Sequence, residues 1–120
     1  MKQHKLQAEF DAITAAQTAA ASTAKAMIDA FPTQWYPCGF AWVRIKPARG
    51  RLVEALKEKD IGHTSEEGGY VVHNPSQNST QWMDAKEAGA RAFINELALF
   101  LITQPASYTK YKIHLESRID

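Results

Sequence analysis

The hydrophobic positions of this chain change period along its length, and each change marks an element. From about Leu6 to Phe31 the chain is dominated by alanine, holds no glycine or proline, and stops at Pro32. Alanine has the best intrinsic helix propensity and proline cannot continue a helix, so the composition predicts one long helix here. Its stripe of Leu6, Phe10, Ile13, Gln17, Ala20, Ala24, Met27 and Phe31 advances in alternating steps of four and three, a heptad seam broken only by Gln17. At 1.5 Å per residue such a helix runs about 38 Å, longer than the roughly 30 Å diameter of a compact domain built from the remainder. It is therefore expected to overhang. Either it packs along a second copy through Leu6, Phe10, Ile13, Met27 and Phe31, or it lies over the sheet and projects at one end. An ordinary amphipathic surface helix rich in alanine is the plainer alternative.

After the Pro32-Thr33-Gln34-Trp35-Tyr36-Pro37 segment the period becomes two. Phe40, Trp42, Arg44 and Lys46 face one way and Ala41, Val43 and Ile45 the other, which predicts a strand over Gly39–Lys46 ended by Pro47. Leu52, Val53, Ala55 and Leu56 mark a short helix to about Lys59, and the segments Ile61–Ser65 and Gly69–His73 flank Glu66-Glu67-Gly68 as a hairpin with a glycine turn. The apolar set Met83, Ala90, Phe93, Ile94, Leu97 and Leu101 predicts a second long helix from Trp82, ending before Pro105. Tyr111, Ile113 and Leu115 alternate with Lys110, Lys112 and His114 as a last strand. The fold class that follows is α+β: a long N-terminal helix, then a small mixed or antiparallel sheet of about four strands packed with two further helices. The organisation is an oligomerisation or packing arm over 1–31 and an α+β domain over 37–120. Leu97 to Ile102 is apolar all round, so this helix end is expected to be buried on several sides by the N-terminal helix or by another subunit. Gly89, with Ala88, Ala90 and Ala92, keeps the preceding turns slim enough for close helix approach, which supports a helix-mediated homo-oligomer.

Composition narrows the class. A chain of 120 residues with 45% hydrophobic and 22% charged residues is one ordinary globule, and at this mass it buries about two-thirds of its unfolded surface. Lys and Arg number 14 against 13 Asp and Glu, a net charge of +1. That argues against a generally basic, nucleic-acid-coating protein and leaves room for a local basic patch. The single cysteine excludes an internal disulfide framework. Met1-Lys2-Gln3-His4-Lys5 precedes no apolar signal core and no stretch reaches membrane-spanning length, so a cytoplasmic protein without a membrane partner is expected.

The run Cys38-Gly39-Phe40-Ala41-Trp42-Val43-Arg44-Ile45-Lys46-Pro47, with Gly68-Gly69-Tyr70, Lys86-Glu87-Ala88-Gly89-Ala90-Arg91-Ala92-Phe93 and the terminal Ser117-Arg118-Ile119-Asp120, resembles small proteins of tailed bacteriophages. The resemblance covers most of 37–120 and brings no activity, cofactor or catalytic residue with it. It implies a phage protein acting in the cytoplasm of an infected bacterium, where a small protein without an enzyme motif commonly binds a host protein, a nucleotide or nucleic acid. That implication is analogy rather than mechanism.

The candidate chemistry centres on Phe40, Trp42, Arg44, Lys46, Arg49 and Arg51. Four of the 14 basic residues fall between Arg44 and Arg51. Arg44 and Lys46 share a strand face with Phe40 and Trp42, while Arg49-Gly50-Arg51 sits at a helix N-terminus, where free amides and the helix dipole favour an anion. Rings that stack a base beside cations for its phosphates are what a nucleotide or single-stranded nucleic acid requires. The competing reading makes Phe40 and Trp42 core residues beneath a helix and the cations merely solvated. No Walker loop, dinucleotide glycine fingerprint or zinc-finger spacing accompanies them, and neither a metal nor a cofactor is expected.

Cys38, His63, His73 and His114 raise a Cys/His-dependent enzyme or a metal site, without the local spacing that either needs. Glu66-Glu67 reads as a solvated turn, since adjacent side chains point apart. Asn78-Ser79-Thr80 matches a glycosylation acceptor only formally. The polar run from Asn74 to Gln81 either caps the helix near Trp82 or wraps a ligand. The preferred reading is a non-catalytic binding protein for a phosphate-bearing ligand. Its main rival is an interaction protein that binds and inhibits a host defence protein through its helices and Trp35, Tyr36 and Trp82.

Overall fold

The computed structural model describes residues 5–31, 38–78, 80 and 82–119. Its elements in chain order are α1 (Gln7–Ala30), β1 (Gly39–Lys46), α2 (Arg51–Glu58), β2 (His63–Thr64), β3 (Tyr70–His73), α3 (Met83–Ile102) and β4 (Lys112–Ile119). The strands form one four-stranded antiparallel sheet in the order β2-β3-β1-β4, so the fold is α+β. Trp35 and Tyr36 lie outside the described residues, as do Ser79, Gln81 and Asp120.

β1 is central because both its edges are paired. β4 runs beside it along its whole length, from Gly39↔Ile119 to Lys46↔Lys112, and β3 pairs from Trp42↔His73 to Ile45↔Tyr70. The β2–β3 turn is closed by Ser65 N–H donating to the Gly69 carbonyl at 2.9 Å. Gly69 has φ +76°, and a Cβ there would lie 2.8 Å from the Ile45 carbonyl oxygen, so the turn needs glycine on both counts.

All three helices lie on one side of the sheet. Ala41, Val43 and Ile45 of β1, Tyr70 and Val72 of β3, and the half-buried Ile113 and Leu115 of β4 face Phe93, Leu97 and Ala90 of α3, together with Leu52, Val53, Ala55 and Leu56 of α2. Each fully buried large aliphatic or Phe side chain contributes about 1.5–3 kcal/mol relative to its exposed state.

α1 belongs to the same core rather than projecting from it. It runs antiparallel to α3: the Phe31 and Trp82 rings meet at 6.1 Å, while at the other end Ala8 and Ala12 share a groove with Leu99 and Phe100. Between these ends a Cβ on Gly89 would stand 3.0 Å from the Ala20 carbonyl and 2.8 Å from Ser76 Cβ. The close approach that Gly89 and the alanines permit is therefore made by α1 of the same chain. Of the five seam residues, Leu6 and Ile13 are fully buried in the chain's own core, Phe10 and Met27 are half-buried, and Phe31 is exposed. The heptad stripe is real, but α3 satisfies most of it. Because alanine offers little area to bury, polar contacts add to the attachment: the buried carboxylate of Glu9 accepts from Arg51 Nε at 3.1 Å and from Tyr108 Oη at 2.8 Å.

At the end of α3 the cover supplied by the same chain is partial. Leu97 is buried, but Leu99 is 60% exposed and Ile102 79% exposed, since α1 begins alongside this turn and covers only one side of it. No helix among the described residues is long and apolar enough to cross a membrane.

Candidate functional site on the open face of the sheet

Alternation along β1 puts Phe40, Trp42, Arg44 and Lys46 on the face opposite the helices, where no described element covers them. Phe40 is 41% exposed and Trp42 is half-exposed, so these rings are not core beneath a helix. The antiparallel register then fixes their neighbours, because directly paired residues share a face. Phe40 lies beside Arg118, Trp42 between His73 and Glu116, Arg44 between Val71 and His114, and Lys46 beside Lys112. His63 pairs with Val71 and joins the Arg44 row.

Glu116 organises the centre. Its Oε1 accepts from Trp42 Nε1 at 2.6 Å and from Arg44 Nε at 2.9 Å, and its Oε2 lies 2.8 Å from His114 Nε2. Burial alone would raise this carboxyl, but the hydrogen bonds from His114, Trp42 and Arg44 outweigh it and bring the pKa down from 4.5 to about 2. Arg44, only 7% exposed, also donates through Nη1 to the Gly68 carbonyl of the hairpin turn. Trp42 and Arg44 are thus held in fixed orientations by one carboxylate.

Rings continue the surface outward. Trp42 and His73 are 5.9 Å apart, and His73 stacks on His63 at 5.3 Å with an interplanar angle of 23°. Burial, then the neighbouring His63 and Arg44, holds the His73 imidazole below its usual pKa of 6.5. On the other side Phe40 has Lys86 Nζ 5.2 Å and the Arg118 guanidinium 5.6 Å from its ring centre. Lys86, a buried residue of α3, is anchored by donating to the Gly39 carbonyl at 3.0 Å. A cavity of about 380 Å³ opens here, lined by Phe40, Trp42, Arg44, His63, His73 and Arg118, with Ser65, Glu67 and Val71. Its size falls within the range of small-ligand sites, which start near 300 Å³.

The sequence-derived cation cluster does not converge. Arg44 lines the cavity, and Lys46 stands further along the same face beside Lys112. Arg49 and Arg51 leave the face altogether, because the chain turns at Gly50, φ +94°, and Arg51 opens α2 on the helix side. There Arg51 is bound to Glu9 and to the Lys5 carbonyl. Burial would raise the Glu9 carboxyl, yet the hydrogen bonds from Arg51 and Tyr108 hold it below 4.5. Arg49 offers its backbone carbonyl to the Tyr111 hydroxyl at 2.7 Å.

Cys38 is exposed and pairs through its backbone with Trp82, at the Gly39 end of β1, and has no hydrogen bond with His63, His73 or His114. Among the described residues no group of His, Cys, Asp and Glu could hold a metal ion. In the described part of the polar loop Asn74 Nδ2 donates to the Asn78 carbonyl at 2.9 Å, and Thr80 Oγ1 accepts from Trp82 N at 3.1 Å just ahead of α3, whose N-cap residue Trp82 makes no side-chain capping bond. The acidic turn is exposed, with Glu67 N–H bonded to Ser65 Oγ at 3.1 Å.

Residue-by-residue reading missed His63, His73, Glu116 and Arg118 as members of this site. The signal for two of them was the alternation of β4, which places Lys112, His114, Glu116 and Arg118 on one face. Only the register joins that face to β1. The chain matches no protein-family model, no curated protein and no solved structure.

Proposed function

We propose that the protein is a non-catalytic binding protein whose open sheet face takes a phosphate-bearing ligand carrying a base, a nucleotide or nucleic acid, in the cytoplasm of a phage-infected bacterium. The observation that carries the reading is the uncovered strip of Phe40, Trp42, His73 and His63 beside Arg44 and Arg118. A base has two π faces and stacks on such rings irrespective of its sequence, while its phosphate seeks a guanidinium. The Glu116 contacts fix Trp42 and Arg44 before any ligand arrives, which lowers the ordering cost of binding. Arg118, exposed beside the Phe40 ring, is the guanidinium offered to a phosphate.

The test is titration of dTMP by tryptophan fluorescence and calorimetry against the wild type, Arg118→Ala and Trp42→Ala. A charge-assisted hydrogen bond contributes about 1.5–3 kcal/mol, so Arg118→Ala is expected to weaken binding about tenfold or more with its melting temperature unchanged. Trp42→Ala is expected to weaken it comparably. Equal affinity in all three proteins would overturn the site.

One observation favours a second reading, an interaction protein that binds and inhibits a host protein or pairs with its own copy. Leu99 and Ile102 expose adjoining apolar surface at the end of α3, which on a soluble surface often marks a protein contact. Absence of nucleotide binding, together with a partner lost on Leu99→Asp/Ile102→Asp, would move the assignment there.

A further inference from the structure

We infer that the ligand is a single nucleic-acid strand of several nucleotides laid along β1, rather than a free mononucleotide. This rests on the nucleotide-binding reading above and specifies its substrate.

Length favours the strand. The full-length pairing of β1 with β4 creates two cationic ends on the open face, Arg118 beside Phe40 at one and Lys46 beside Lys112 at the other. Six residues of β1 separate them, and at about 3.4 Å per residue that is about 20 Å. A mononucleotide carries its phosphate at one end and reaches only one cationic end. Along a stacked strand the phosphates recur about every 3.4 Å, so the two ends are bridged by about six phosphates, and by fewer where the bases are splayed onto protein rings.

The charge between the ends fits the same ligand. In the middle of the face the Arg44 guanidinium is already held by Glu116 and by the Gly68 carbonyl, with Glu67 at the hairpin turn. A phosphate there meets a cation that is already paired, whereas an uncharged base can stack on the rings. Phe40 and Trp42, two residues apart on one face, offer platforms about 7 Å apart, and His73 and His63 extend the second platform towards β2. Bases over the middle and phosphates at both ends is the arrangement of a strand, not of a single nucleotide. Duplex is disfavoured because its bases present no free π face.

The experiment compares dTMP, (dT)2, (dT)4 and (dT)8 by calorimetry and fluorescence anisotropy, in the wild type and in Lys46→Ala/Lys112→Ala. Lys46 and Lys112 are exposed and lie outside the cavity, so this variant is expected to fold normally and to bind dTMP within twofold of the wild type. The wild type is expected to bind (dT)8 at least tenfold more tightly than dTMP. The slope of log affinity against log salt should steepen by about 0.7 for each further phosphate contacted. The double variant should lose most of the gain with length. Binding of dTMP with no gain for (dT)8, or a gain that survives the double substitution, overturns the strand while leaving the nucleotide site. Binding of neither probe overturns the nucleotide reading itself. Tighter binding of an eight-base-pair duplex than of (dT)8 overturns the single-strand assignment.

Discussion

The two faces of β1 are built from alternate residues of one eight-residue strand, yet they obey different rules. On the covered face Ala41, Val43 and Ile45 are small or β-branched and buried within the hydrophobic core. On the open face Phe40 and Trp42 are large and flat, and the polar groups around Trp42 converge on one carboxylate: Trp42, Arg44 and His114 all meet Glu116. The covered face obtains its order from packing density, the open face from a carboxylate that accepts several hydrogen bonds. A surface that had only to be soluble would not need its rings and cations fixed in this way. The difference separates a side built for stability from the side proposed to bind a ligand.

The comparison is broken most severely from the helix side. Phe93 of α3 is fully buried against the covered face, and Phe93→Ala is expected to cost about 3–5 kcal/mol, read from the midpoint of chemical denaturation. On the open face the largest effect is expected at Glu116. Glu116→Gln removes the charge that holds Arg44, Trp42 and His114, and because the carboxylate is still 31% exposed solvent screens part of the loss, leaving about 1–2 kcal/mol. Its larger signature is a loss of the fixed Trp42 environment in the near-ultraviolet circular dichroism. An equal cost for the two substitutions would erase the distinction between the faces.

Much of this arrangement was legible in the sequence, and what was not has physical reasons. The period-two pattern from Gly39 to Lys46 located β1 and sorted its residues between two faces. It could not say which face the helices cover, because large aromatic residues on strands are most often core. The informative neighbours were Arg44 and Lys46, charged residues sharing the ring face, which a helix-covered face would hardly accommodate. Arg49 and Arg51 were drawn into the cluster by closeness in sequence, but the turn at Gly50 carries Arg51 to Glu9 on the helix side. The seam of α1 was correctly periodic; a heptad pattern specifies a partner helix without saying whose, and α3 of the same chain supplies it. The apolar end of α3 was expected to be covered by α1 or by another subunit; α1 covers one side of it and leaves Leu99 and Ile102 exposed, since periodicity gives no information about where the neighbouring helix starts.

The smallest expected effect is also the one that sharpens the comparison, because it concerns protons rather than atoms. The covered face carries no titrating group among the residues it shows in the core cluster apart from Tyr70, whose phenol burial pushes upward from 10, so mild acid should leave it untouched. On the open face His73 is held below 6.5 and Glu116 at about 2. Both are depressed in the folded state, so both favour the folded form above their unfolded values and lose that contribution as pH falls. For His73 the loss begins near 6.5, and for Glu116 it runs from about 4.5 down towards 2. Between pH 7.5 and 5.5 the His73 contribution changes and that of the Glu116 carboxyl does not, so stability should decline slightly. Binding should move the same way: a base stacked over His73 buries the ring further and disfavours the charged imidazole, and the phosphate itself takes up a proton at about pH 6, so dTMP affinity should fall as pH falls through this window. The measurement is dTMP affinity at several pH values beside denaturation midpoints, with His73→Gln as the control. The fall should be shallower in the variant, and an equal fall in both proteins would place the base away from His73.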